Sequence, residues 1–163
     1  MTLQTVTHTS TDSSATTAGA ETRNPADPTG GAYVQLLERV RYEGAYPTRE
    51  RAEEAVRSVL AALGRQLVGD ERVELAARLP FEAALTLTAQ VPAIEPLTGW
   101  EFVKDLARRT GSTPARTRWD VGAVLIPVAR LAGSDLTDRV IGQLPGGYAL
   151  LFGKAQLAPA ATT

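Results

Sequence analysis

Val59 to Pro80, VLAALGRQLVGDERVELAARLP, is the stretch whose reading decides the fold, because its pattern returns as Val124 to Pro145, VLIPVARLAGSDLTDRVIGQLP. Each copy reads as the end of an amphipathic helix, a Gly-Asp or Gly-Ser-Asp turn, a short second helix and a Leu-Pro stop. Glycine ends the first helix by adopting a backbone that other residues resist, and the following aspartate is expected to cap the next helix by accepting from its first free amides. Proline closes the unit because it brings no amide donor to the helical ladder. A second apolar run at helical spacing lies upstream of each copy, and the two can be laid together.

In the first half, Tyr33, Leu36, Leu37 and Val40 recur at i, i+3, i+4 and i+7, one stripe of a helix that ends near Gly44. Pro47 suits the first position of a longer helix carrying Ala52, Val56, Val59, Leu60, Leu63 and Leu67 on one face. Its other face mixes Arg49, Glu50, Arg51, Glu53, Glu54 and Arg57, and reads as solvated. Phe81 to Thr88 suits both periodicities, and helix is preferred because no partner strand is evident elsewhere. Val91 to Leu97, with Pro92 and Pro96, is the connector.

The second half opens on Thr98-Gly-Trp-Glu101, a capping box, with Leu97 and Phe102 spaced as its hydrophobic staple and Trp100 expected as a lid on the core. Phe102, Val103 and Leu106 then match Leu36, Leu37 and Val40, and Gly111 and Pro114 match Gly44 and Pro47. Val121, Val124, Leu125 and Val128 fall on Val56, Val59, Leu60 and Leu63. Asp135, Val140, Leu144 and Pro145 fall on Asp70, Leu75, Leu79 and Pro80. Pro127 is the main departure, and a kink or split is expected there. Gly146-Gly147 replaces Phe81-Glu82, so the last helix should start later.

With these residues assigned, the chain resembles the bacterial domain-of-unknown-function family 2267, in two tandem copies of its helical unit. The marks are the aromatic-led first helix, the Gly-x-x-Pro turn, the V-L-x-x-L helix end and the two stops Leu79-Pro80 and Leu144-Pro145. The resemblance covers about Tyr33 to Gly153 and implies an all-helical, soluble, duplicated domain. It implies no activity and no catalytic residues.

The expected fold class is therefore all-α, a single globular domain over residues 32–153. Residues 32–90 form one repeat and 98–153 the other, joined by 91–97. Residues 1–31, rich in Thr, Ser, Ala, Gly and Pro, have little to bury and are expected to form a disordered tail suited to tethering. Residues 154–163 are expected to fray. No basic, apolar signal segment opens the chain, and no run approaches the roughly 18 apolar residues of a membrane helix, so cytoplasmic is the default location.

Function is approached by exclusion. The chain has no cysteine, and its one histidine, His8, lies in the tail without a neighbouring ligand, so thiol, Ser-His and zinc chemistry lose their parts. Glu50 with Glu54 and Glu101 with Asp105 share helical faces, but each pair has basic neighbours that work against a raised carboxyl pKa. No catalytic residue, metal site or cofactor is assigned. The amides at Gly146-Gly147 are a weak anion site at most.

Arg65 and Arg130 recur near the long-helix ends and are expected to reach the last carbonyls or the following Asp70 and Asp135. The best binding candidates are Lys104, Arg108, Arg109, Arg116 and Arg118, which would converge around the turn Thr110 to Pro114 if the two helices flanking it lie side by side. At a net charge of −1 the chain is no polycation, which weighs against nucleic acid. The reading reached is a non-enzymatic helical scaffold or adaptor that contacts an unidentified protein or a second copy of itself, with no membrane role. The alternative is an anion or nucleic-acid binding module using the 104–118 patch.

Overall fold

The computed structural model describes residues 31–155; the tail read at residues 1–31 and the end of the chain lie, but for Gly31, Lys154 and Ala155, outside them. The described residues form eight helices and no strand. They are α1 (Gly31–Gly44), α2 (Arg49–Gly64), α3 (Gly69–Arg78), α4 (Phe81–Thr88), α5 (Gly99–Thr110), α6 (Pro114–Ala132), α7 (Ser134–Gln143) and α8 (Tyr148–Leu151). The all-α expectation holds, and α4 is a helix.

The long helices α2 and α6 form the centre, and they touch each other. Each buries the stripe read from the sequence: Val56, Val59, Leu60 and Leu63 on α2, and Val121, Val124, Leu125 and Val128 on α6. Helix α1 packs on both, and α5 also lies against both. Helices α3 and α7 meet across the molecule, where Arg139 pairs with Glu74 at 2.6 Å. A single apolar cluster runs from Tyr33 to Phe152, with Tyr148 fully buried and set edge-on against Phe102 at 5.5 Å.

Local signals fare unevenly. Thr98 and Glu101 make both bonds of the capping box, and Leu97 is packed against the core cluster that contains Phe102. Leu79 and Leu144 each end a short helix in an extended conformation, before Pro80 and Pro145. Helix α8 starts at Tyr148, after Gly147 at φ 99°, as the paired glycines suggested. Thr48, ahead of Arg49, caps α2 by accepting from the Arg51 amide, so Pro47 stands before the cap. Pro114 does open α6, behind the Thr113 cap.

Three expectations are corrected. Asp70 and Asp135 do not cap α3 and α7, whose cap positions are Val68 and Gly133. They sit in the first turn, where their charge still favours the helix dipole. Val68 is served from afar: its amide donates to Gln143 Oε1 at 3.1 Å and its carbonyl accepts from Gln143 Nε2 at 2.8 Å. Of the kink or split expected at Pro127, the split is absent: α6 runs unbroken through it over its 19 residues. Buried Val124, Leu125 and Val128 hold the helix on both sides of it, and packing overrides the lost backbone bond. Trp100 is 59% exposed and is no lid; that place belongs to Tyr148, whose hydroxyl donates to the Leu97 carbonyl.

Lys154, the first residue read as frayed, is tied down by Asp138 and the Ser134 carbonyl.

Candidate binding surface and the cavity beside it

Helices α5 and α6 lie side by side, the condition set for the basic residues flanking their turn to converge. Gly111 makes the turn possible: it takes φ 68° as the α5 cap and nothing lies within 4 Å of where a side chain would start. Thr113 then caps α6 by accepting from the Arg116 amide at 3.2 Å.

The five cations do not form one open cluster. Arg108 and Arg109 both bind Asp105, at 2.5 and 2.7 Å. Partial burial alone would raise the Asp105 carboxyl pKa, but these two guanidinium bonds outweigh it and hold the group below the ordinary carboxylate range. Arg116 turns to Asp120 at 3.7 Å. Arg118 leaves the turn altogether, its guanidinium lying over Gly122 beside a shallow groove that also touches Glu43 and Trp119. Lys104 lies over the exposed Trp100 ring at 5.7 Å.

Three of the four carboxylates of the two sequence-read pairs, Glu54, Glu101 and Asp105, are similarly committed. Glu101 closes the capping box, where the Thr98 amide and hydroxyl hold its pKa down. Glu54 pairs with Arg51 at 3.2 Å. Neither Arg65 nor Arg130 reaches the aspartate expected for it. Arg65 donates to Gln90, just past the end of α4, at 3.2 Å, and Arg130 to Glu43 on α1 at 2.9 Å.

Sequence reading missed the centre of this region. Tyr46, only 4% exposed, donates its hydroxyl to Asp120. The guanidiniums of Arg51 and Arg116 lie 5.6 and 6.0 Å from the centre of its ring. Arg51 also stands 3.8 Å from Asp120, so one carboxylate serves a phenol and two cations. Burial first, and then the Asp120 charge, push the Tyr46 phenol far above its usual pKa.

Against this cluster lies a cavity of about 320 Å³ between α2, α5 and α6. It is lined by Ser58, Thr110, Ser112 and Thr117 together with Ala55, Val59 and Leu106. Thr110 donates its hydroxyl to the Leu106 carbonyl at 2.9 Å. Thr117 is 2% exposed, and its hydroxyl has no hydrogen-bond partner among the described residues. A buried hydroxyl left unbonded costs about 1–3 kcal/mol. One signal pointed to it: Thr117 continues the apolar stripe of Val121 and Val124 one turn earlier, a polar residue in a core register, where the first half has Ala52.

Among the described residues no group of three or more His, Cys, Asp or Glu is placed to hold a metal ion. No helix among them is long and apolar enough to cross a membrane.

A family model described as an uncharacterized conserved protein, DUF2267, matches residues 33–151. No curated protein matches the chain.

Proposed function

This chain belongs to the DUF2267 family, and we propose that it acts as a non-enzymatic helical scaffold in the cytoplasm, working by protein contact with a second copy of itself. The observation that carries this reading is α4, which is apolar on two faces and covered on one. Ala83 and Leu87 are fully buried, while Phe81 and Leu85, a helical turn apart on another face, are 56% and 51% exposed. The chain that follows adds Val91 and Ile94, at 82% and 99% exposure. Apolar residues grouped in this way are the usual material of a contact surface. With a net charge of −1, two copies meet without long-range repulsion.

Sedimentation equilibrium over a range of concentrations tests it. The expected result is a dimer that reverts to monomer in Phe81→Lys and in Leu85→Lys. A wild-type chain that stays monomeric at every concentration overturns the proposal.

The second reading, an anion or nucleic-acid module built on Lys104, Arg108, Arg109, Arg116 and Arg118, draws support from Lys104 beside the open Trp100 ring. Against it, Arg108, Arg109 and Arg116 already face carboxylates. Retention on heparin at low salt that vanishes on reversing Lys104 would favour this reading over the first.

A further inference from the structure

We propose that the second copy engages this chain through its connector, Ile94 of each copy seating in a groove beside Pro80 of the other, with Glu95 between Arg39 and Arg78 there. The inference rests on the self-association proposed above and names the surface that completes it.

The groove lies between α1 and the ends of α3 and α6. Leu36, Leu79, Pro80 and Leu131 give it an apolar floor, and Arg39 and Arg78 line it as well. At about 230 Å³ it falls below the usual range of small-molecule sites, about 300–1,000 Å³, and suits an aliphatic side chain better than a cofactor. Neither arginine is in an ion pair among the described residues. Glu74, one turn before Arg78, is bound to Arg139 at 2.6 Å, and Glu43, one turn after Arg39, to Arg130 at 2.9 Å. Two exposed cations beside an apolar floor call for a partner that is apolar and carries a negative charge.

The connector has both features. Ile94 is 99% exposed, and Glu95 beside it is exposed and in no ion pair among the described residues. The pair is held in place from both sides. The Ala93 amide donates to the Arg65 carbonyl at 2.7 Å, and the Leu97 amide donates to Gln66 Oε1 at 3.0 Å. A side chain presented by a fixed loop loses little freedom on docking, so more of its burial is kept as affinity.

Helix α4 relates the two features. The groove includes Pro80, directly before α4, and the connector follows the end of α4 at Thr88. The eight residues between span about 12 Å. In a two-fold dimer packed on Phe81 and Leu85 with its α4 helices antiparallel, the start of each helix faces the end of the other. Each groove then meets the other copy's connector, and the contact forms twice, as an isologous interface requires.

Sedimentation equilibrium of the full chain tests this, with NMR on the same samples. Glu95→Arg is expected to weaken the dimer about tenfold and Ile94→Ser about a hundredfold, with circular dichroism unchanged because both residues are exposed. Arg78→Glu should weaken it as Glu95→Arg does, and exchanging the charges in Glu95→Arg/Arg78→Glu should recover part of the loss. Amide signals of Arg39, Arg78 and Leu131 should move on dilution from dimer to monomer. A wild-type chain that stays monomeric at every concentration removes the self-association reading and this inference with it. A dimer that Phe81→Lys breaks, but that Glu95→Arg and Ile94→Ser leave intact, overturns this inference alone. So does a charge exchange that recovers nothing. So do groove signals that dilution leaves unmoved, the result if residues 1–30 or an unrelated acidic partner fill the groove instead.

Discussion

Tyr46 donates its hydroxyl to Asp120 across 74 residues of sequence, joining the turn after α1 to the face of α6. The bond links the first half of the chain to the second inside a shell of two arginines, and Asp120 itself lines the cavity between α2, α5 and α6. Tyr46→Phe removes the donor and leaves Asp120 with guanidiniums only at 3.7 and 3.8 Å. The expected loss of stability is about 1.5–3 kcal/mol, the range for a hydrogen bond to a charged group, read from urea unfolding midpoints at unchanged slope.

Tyr33, Tyr46 and Tyr148 all hold their protons more tightly in the fold than in water, in each case chiefly because burial disfavours the phenolate. The unfolded chain releases those protons from about pH 10, while the folded chain keeps them. Stability is thus fully present below the ordinary tyrosine range and falls as pH rises through it. Urea midpoints should be flat near neutrality and drop steeply above about pH 10, and Tyr46→Phe should flatten that drop.

Asp105 behaves in the opposite sense. Its depressed pKa contributes stability above the ordinary carboxylate range, lost as pH falls through the folded value. In Arg108→Ala/Arg109→Ala the opposing effect of burial remains without its counterweight, and the Asp105 carboxyl should titrate at higher pH by NMR. Both arginines are well exposed, so global stability should change by less than about 1 kcal/mol. An unmoved titration would mean that the pairs do not persist in solution.

Gly64 faces α4 so closely that a methyl group there would sit 2.1 Å from the Leu87 carbonyl oxygen. Gly99 faces Gly147 in the same way, with backbone atoms 2.6 Å from the position of an added methyl. In both places the obstacle is main chain, which cannot rotate aside. Gly64→Ala and Gly99→Ala should each cost about 1–3 kcal/mol despite the better helix propensity of alanine. Gly142, with nothing within 4 Å, is the control, and Gly142→Ala should stabilise.

Thr98→Ala should cost about 1 kcal/mol, since the α5 capping box loses its hydroxyl. Thermal unfolding checks it, and the Glu101 carboxyl should titrate at higher pH, because the Thr98 side chain helps to hold it down.

Much of the helical layout was legible in the residues. The stripes of α1, α2, α5 and α6, the Thr98 box and the Leu-Pro stops depend on side chains three or four positions apart. Errors arose where local rules competed with distant partners. Asp70 looked like a cap, yet Gln143 from the other half serves the Val68 position. The basic residues between Lys104 and Arg118 were found as a group, but their division among Asp105, Asp120, Trp100 and Gly122 was not. Helical spacing says which side chains share a face and is silent on what faces them.

Sequence alone determined that this chain is a set of amphipathic helices with defined caps and stops, because backbone hydrogen bonding and apolar periodicity are settled within a turn or two. Only the tertiary structure decided that α1 lies across α6 as well as α2, so that the two halves share one core. It also set Tyr46 on Asp120, left the Thr117 hydroxyl unbonded beside a cavity, and uncovered the Phe81 and Leu85 face of α4. Those outcomes depend on the path by which distant segments meet, and the free energy of such meetings resides in surfaces that no local spacing encodes.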